Sequence, residues 1–549
     1  MRFLSLLPLS FLVFLLGCPQ KATTLTPTPS AKPQAVSTGV KFVECAEASG
    51  IHYTWTPQGT RPLTILGTIG NGAAFFDFDS DGNLDILLIG EHPALFRGNG
   101  KGQFTDISTM ALPTLKGHFL GCTVGDYDND GFPDVYISGY REGRLLKNEG
   151  GKRLVDVSVV AGIPKQLWGS SASFVDIDRD GKLDLYIANY AKFGPDTKPQ
   201  LCDFNGVLSS CGPRFYDPER GTLYHNQGNG RFKDISETSG AKKVSGRGLG
   251  VASLDYNESG QDSIAIANDE LPGDLLQNKD GLKFTNEGVN AGVAYDANGS
   301  VHGGMGIDWG DYNNDGKFDL IVATFQHEAK SLYENLGDGF FQEKAALLGL
   351  SDQVLPYITF GIKFLDADND GYLDILLANG HVQDNIADVD KSMTYKQPTF
   401  FLKNAGGQRF QDQTASSGIG ALPPIVGRGL AVGDYDNDGR VDALVVDSEG
   451  KPLLLHNESE KTGHWLSLQL EGTGRVNRSA HGAIVTVKVR GKTLLRHCQT
   501  DGSYLSASDV RVHIGLGEAT QAEVTVQWPG GPKKSYGVLD ADKVHLLKL

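Results

Sequence analysis

Apolar residues along this chain come in short runs, and each run closes on a turn rich in Gly, Asp or Asn. Runs such as AAFF before residue 77 and DILLIG from residue 85 are too short for ordinary helices, and their flanking turns predict strands. The pattern also repeats. An acidic nonapeptide occurs as DFDSDGNLD (77–85), DYDNDGFPD (126–134), DIDRDGKLD (176–184), DYNNDGKFD (311–319), DADNDGYLD (366–374) and DYDNDGRVD (434–442), with a worn copy, DYNESGQDS, at 255–263. After each copy comes an apolar run, then a strand of the form LxxN: LFRGNG from 95, LLKNEG from 145, LYHNQG from 223, LLQNKD from 275, LYENLG from 332, FLKNAG from 401 and LLHNES from 454. Before each copy stands an aromatic-led or apolar-led run, from FVECAEASGI at 42 to FQDQTASSGI at 410.

Three landmarks in constant order, seven times over, mark an internal repeat. Each unit holds four strand-like runs. Four strands per unit in seven units predict an all-β fold, a seven-bladed β-propeller over 41–460. Three separate β-sandwich domains would account for the strands but not for the shared register. The run led by Phe42 is expected to complete the last blade near Leu454, joining the two ends of the ring. Residues 461–549 contain alternating stretches (WLSLQL, IVTVKV, VTVQW) that predict a small β-sandwich.

Crowded carboxylates repel, so the nonapeptide needs a cation. Side chains at its positions 1, 3, 5 and 9, with the carbonyl at 7, can curl round one centre, and Gly at 6 permits the turn. Such a set of hard oxygens suits Ca²⁺. An EF-hand closes with Glu at position 12 on a helix, whereas here position 9 is Asp and a strand follows. The expected ligands are Asp77, Asp79, Asp81 and Asp85; Asp126, Asp128, Asp130 and Asp134; Asp176, Asp178, Asp180 and Asp184; Asp311, Asn313, Asp315 and Asp319; Asp366, Asp368, Asp370 and Asp374; and Asp434, Asp436, Asp438 and Asp442. The worn copy offers Asp255, Asn257, Ser259 and Ser263 and should bind weakly or not at all. About six structural calcium ions would offset most of the formal charge of −16.

That charge comes from 66 acidic and 50 basic residues and argues against nucleic acid as a partner. Arg2 followed by the apolar run Phe3 to Leu16, interrupted only by Ser5, Pro8 and Ser10, predicts a signal peptide over 1–17. Its end, Leu15-Leu16-Gly17-Cys18, resembles a bacterial lipobox, which implies lipid on Cys18 and a place in the cell envelope, periplasmic or on the cell surface; plain secretion is the alternative. Residues 18–40 are rich in Pro, Thr, Ser and Ala and predict a tether. In an oxidising compartment Cys202 and Cys211, which bracket a short loop, are the expected disulfide. Cys45, Cys122 and Cys498 remain, and no C-x-x-C occurs.

The acidic loops resemble the FG-GAP/VCBS repeats of integrin α-subunit propellers, and that resemblance implies calcium at the positions named. In the stretch 478–531, GSYLSASD, HIGLG and VQWPGG resemble the ASPIC/UnbV domain, which follows such a propeller in the cartilage acidic protein family and its bacterial relatives. CDFNGVLSSCGP, ANDELPGD and ANGHV are similar to bacterial members. The resemblance spans 42–549, with two departures: the worn loop, and Gly98 where other repeats have Asn.

In a four-stranded meander the acidic loops share one face of the ring with the turns after the LxxN strands. The long connections 189–222 and 379–399 then lie on the opposite face, where binding commonly resides. Trp168, Arg247, His302, His327, Glu328, His381 and Arg428 map there as candidate ligand-binding residues that could line a central pocket. His118 and Asp384 are weaker candidates. No spacing links the histidines as a metal site requires, and neither G-x-S-x-G nor a P-loop occurs. The expected function is therefore binding or adhesion to an extracellular protein or glycan. The alternatives are a carbohydrate lyase or dehydratase on the His-bearing face, and a structural part of an envelope complex.

Overall fold

A computed structural model describes residues 39–549, apart from 58, 351, 352 and 461. The leader, Cys18 and all but the end of the tether lie outside the described residues. Among the described residues, 42–457 form seven antiparallel four-stranded sheets, each built in the same way. In the second sheet, for example, His118–Gly125 precedes the acidic loop, Asp134–Tyr140 follows it, Glu142–Asn148 carries the LxxN sequence, and Leu154–Asp156 is the outer strand. The aromatic-led runs are thus outer strands that finish one sheet before the chain enters the next. The last sheet takes its outer strand from Phe42–Glu44, which pairs antiparallel with Leu453–Asn457, Phe42 opposite Asn457.

The first strands touch in order round a ring, and the seventh, Gly427–Gly433, lies against the first, Ala73–Phe76. This is a β-propeller. First and second strands are buried along almost their whole length, which is why they read as continuous apolar runs.

Hydrogen bonds between neighbouring sheets explain the LxxN landmark. The Asn148 amide donates to the carbonyl of Phe78, at position 2 of the preceding acidic loop (2.8 Å). Asn226 does the same to Tyr127, Asn278 to Ile177, Asn335 to Tyr256, Asn404 to Tyr312 and Asn457 to Ala367. Each carbonyl is buried between sheets and would otherwise lack a donor. Gly98 makes no such bond, and a side chain there would clash with the Leu84 carbonyl, 2.1 Å from an added Cβ.

A C-terminal unit packs a three-stranded sheet (His464–Glu471, Val512–Gly517, Lys543–Lys548) and a four-stranded sheet (Ala483–Val489, Lys492–Cys498, Gln521–Gln527, Lys533–Asp540) on one apolar core. The segment 499–509 leaves this unit and runs into the propeller's axis, bonding to the first strand of every sheet. Ala507 exchanges bonds with Ala73 and Phe75, and the Leu505 carbonyl accepts from Cys122. Asp501 accepts from Ser173, Ser253 and the Ser253 amide. Gly502 donates to Val251, and Ser503 pairs with Ile307. Lys363 donates to the Asp501 carbonyl, and Asp509 donates to Val432. Tyr504 is fully buried, 4.9 Å from the Phe360 ring, with its hydroxyl on the Ile69 carbonyl.

Removing one inter-sheet amide should be costly because it strands two buried carbonyls. Asn226→Ala is expected to lower unfolding free energy by roughly 2 kcal/mol, read by urea denaturation.

Candidate metal centres and the opposite face

Each acidic loop is organised by its own carboxylates. Asp126 at position 1 accepts from the amides of Asp130 (3.1 Å) and Gly131 (2.9 Å), and Asp130 accepts from Phe132 (3.1 Å). Asp134 at position 9 ties the loop to the sheet, accepting from the amides of Tyr127 (3.2 Å) and Asn148 (2.7 Å). The same bonds recur from Asp77, Asp176, Asp311, Asp366 and Asp434. Position 4 is left-handed in all seven loops, at Ser80, Asn129, Arg179, Glu258, Asn314, Asn369 and Asn437. That conformation favours Asn, which fills four of the seven positions.

Position 4 also links the loops into a ring. Ser80 donates to the Gly131 carbonyl of the next loop, Asn129 to Gly181, Arg179 to Gly260, Asn314 to Gly371, Asn369 to Gly439 and Asn437 to Asn83. The break is at Glu258 in the worn loop, because a carboxylate cannot donate. A cavity of about 740 Å³ opens beside it, against Trp528 and Lys533. The worn loop instead takes a cation from its neighbour, for Arg179 of the loop at 176–184 reaches Asp262 at 3.3 Å. The C-terminal unit sits on this same face: Arg478, His513 and Arg511 bond to the amide oxygens of Asn129, Asn369 and Asn437.

Carboxylate oxygens from Asp77, Asp79 and Asp85 lie within 4.8 Å of one another, as do those of Asp126, Asp128 and Asp134, and of Asp176, Asp178 and Asp184. Oδ1 atoms of Asp79, Asp178 and Asp436 are buried without a hydrogen-bond donor. Burial pushes Asp77 up to about 6, Asp126, Asp176 and Asp434 up to about 7, and Asp134, Asp184, Asp319, Asp374 and Asp442 well above the carboxylate range. Orphaned, mutually close carboxylate oxygens are a donor set that fits a hard divalent cation.

The opposite face differs from the expected pocket. Connections 190–221 and 380–399 do rise there, between second and third strands, and they interlock: Ser209 bonds to Asn385, Asn385 to the Leu208 carbonyl, and Gln383 to the Ser210 carbonyl. Cys202 and Cys211 form a disulfide inside the first, and Cys45, Cys122 and Cys498 are free. Asp384 accepts from Arg61 and the Leu63 amide, joining a third segment to this canopy.

Beneath it, most of the predicted ligand residues are structural, because the propeller's axis is filled. Arg428 is fully buried, stacks on Phe360 at 3.9 Å, and spends its donors on the carbonyls of Thr68, Gly380, Gly427 and His381. Trp168 is buried among Tyr140, Tyr190 and Phe193. Arg247 is buried and donates to the Tyr216 carbonyl. Burial lowers His302 to about 4 and His381 to about 3, leaving both imidazoles neutral. His302 meets the Tyr333 hydroxyl, and His381 accepts from the Gln383 amide. His327 is exposed. No hydrogen bond joins the three histidines among the described residues. Glu328 accepts from the amides of Gly303 and Phe325, and His118 stacks edge-on with Tyr140.

A residue missed from the sequence stands out instead. Asp269, in ANDELPGD, accepts from the Tyr190 hydroxyl at 2.6 Å. Its signal was present only as a family-like string with no partner in view. Burial, with Glu270 and Glu328 nearby, pushes Asp269 up to about 7 against the pull of the Tyr190 hydroxyl. A raised carboxyl contributes stability below its unfolded pKa near 4 and loses it as pH rises through about 7. Asp269→Asn should therefore be more stable than the parent at pH 8, by on the order of 2 kcal/mol, and no more stable at pH 4, as read by urea unfolding at both values.

Comparison with known proteins agrees with this architecture. A model described as FG-GAP-like repeat matches residues 77–137, 126–187 and 311–377, and a model described as ASPIC and UnbV matches 472–548. Cartilage acidic protein 1 of Homo sapiens is 25% identical over 511 residues, covering 87% of this chain and 71% of that protein. The Mus musculus protein is 24% identical, covering 87% and 73%. Among solved structures, an Agrocybe aegerita lectin that recognises non-reducing terminal N-acetylglucosamine is 14% identical, with 74% of this chain and 94% of that one covered at a TM-score of 0.43. YCF48 bound to a D1 peptide is 10% identical, with 73% and 97% covered at a TM-score of 0.39. The chain carries FG-GAP-like repeats in a β-propeller and an ASPIC/UnbV domain at its C-terminal end, and it is similar to the cartilage acidic proteins over most of its length.

Proposed function

We propose that this protein is a calcium-stiffened binding module of the cell exterior, presenting its canopy to a protein or glycan. The interlocking of the two long connections carries this reading. Three side-chain bonds fix them to each other and a disulfide braces the first, so the surface is preformed, and a preformed surface loses little entropy on binding. Leu208 and Phe215 stand on it about half exposed, at 54% and 51%. Exposed apolar side chains on a rigid loop are ordinary recognition anchors.

Calcium serves the scaffold in this reading. The acidic loops lie on the face covered by the C-terminal unit, away from the canopy. The six loops that keep acidic or amide side chains at positions 1, 3, 5 and 9 would hold the ion, which supplies charge balance to carboxylates that burial disfavours. The Cys202–Cys211 disulfide supports an oxidising compartment, as the signal peptide and Cys18 lipid anchor require. Among the described residues no helix is long and apolar enough to cross a membrane. Turnover on the His-bearing face has no support from geometry, since His302 and His381 are buried and neutral.

Calcium added after chelation should raise the melting temperature by several degrees, with about 2.7 kcal/mol per site at a free concentration 100-fold above Kd. Unchanged melting in calorimetry would count against the metal. Leu208→Asp with Phe215→Asp should abolish retention on immobilised glycans and matrix proteins while leaving that calcium response intact. Equal retention by parent and variant would refute the canopy as the binding surface.

A further inference from the structure

The third strand of every sheet presents one side chain immediately before its Asn or Gly: Arg97, Lys147, His225, Gln277, Glu334, Lys403 and His456. They hold equivalent register positions, each opposite the middle of the outer strand: Lys147 faces Val155, Glu334 faces Gln342 and Lys403 faces Gln411. That places all seven beside an acidic loop, yet their chemistry differs.

Lys403 enters its loop. Its Nζ lies 2.9 Å from Asp368 Oδ1, 2.9 Å from Asp370 Oδ2 and 3.1 Å from Asp374 Oδ1, and its side chain is only 9% exposed. An ammonium has three N–H donors, and here three carboxylates surround it, from positions 3, 5 and 9. Those are the positions a metal ion would use. Lys147 does the same in the loop at 126–134, in contact with Asp128 and 3.1 Å from Asp130 Oδ2. A metal ion entering either loop must expel the ammonium or share a few ångströms with it, and like charges at that range repel strongly.

The loop at 311–319 has the reverse arrangement. Glu334 occupies the register position of those lysines, its carboxylate accepting from the Tyr312 hydroxyl at 2.8 Å with Lys344 3.8 Å away. Lys317 pairs with Asp315, but from the loop itself and with 38% of its side chain exposed. Among the described residues no third-strand cation pairs with the carboxylates of this loop, so nothing from that strand competes with a metal ion there.

We infer that the third-strand residue before the Asn decides which cation each loop holds: Lys147 and Lys403 fill the loops at 126–134 and 366–374 in place of a metal ion, whereas the loop at 311–319, with Glu334 there, takes calcium. This rests on the calcium reading above and narrows it, since two of the six loops then hold no metal ion and the loops are not equivalent despite near-identical nonapeptides. A tethered ammonium needs no free ligand, so two sheets stay neutralised when calcium is scarce while the fifth responds to it.

The test counts calcium ions bound per full-length chain by equilibrium dialysis, for the parent and for variants prepared in calcium. Lys147→Met and Lys403→Met should each add one ion and the double variant two, whereas Glu334→Lys should remove one. Counts unchanged by all of these substitutions would overturn the inference. Should a lysine variant fail to fold, amine-reactive labelling of the parent decides: Lys147 and Lys403 should stay protected in saturating calcium, and their exposure by calcium would overturn it. Absence of calcium binding in every protein would instead sink the calcium reading itself.

Discussion

The segment 499–509 is the constraint on which the molecule turns. A propeller's first strands converge on an axis, and the polar groups they point inward cannot all be reached by solvent. Here a single extended loop from the C-terminal unit supplies their partners, bonding to all seven first strands through Asp501, Gly502, Ser503, Leu505, Ala507 and Asp509. Asp501 is held by Ser173 and Ser253, while Lys363 bridges the Asp501 carbonyl to Asp308. Buried charges are tolerated only when paired in this way. The C-terminal domain is therefore part of the propeller's core rather than an appendage.

Filling the axis settles what each face can do. The acidic loops lie beneath the C-terminal unit, where Arg478, Arg511 and His513 read the same left-handed position 4 that links one loop to the next. Charge balance on that face is a matter of scaffold. On the other face the aromatic cluster of Trp168, Tyr190, Phe360 and Tyr504 closes the axis, and the interlocked connections 190–221 and 380–399 cover it. Leu208 and Phe215 stand half exposed on the first of these connections.

The repeat also shows how one motif serves several ends. The LxxN asparagine staples adjacent sheets through the carbonyl at position 2, position 4 passes a hydrogen bond round the ring, and position 9 ties the loop to its own third strand. Where the motif wears down, local replacements appear: Arg179 pairs with Asp262 beside the loop at 255–263, and no amide stands at Gly98, where a Cβ would meet the Leu84 carbonyl.

The sequence by itself determined the strands, their grouping in fours and the closing role of Phe42, because period, turn residues and repeat register are local properties written in consecutive letters. It also marked the acidic loops and the Cys202–Cys211 pair, since ligand spacing and a short bracketed loop need no tertiary context. Only the tertiary structure decided that GSYLSASD is an axle, that Arg428 and His381 are spent inside the core, and that Asp269 meets Tyr190. Those contacts join residues from 47 to several hundred positions apart. Nothing in one strand specifies which distant carbonyl its side chain will face; closure of the ring does, by bringing seven separate strands to a single axis.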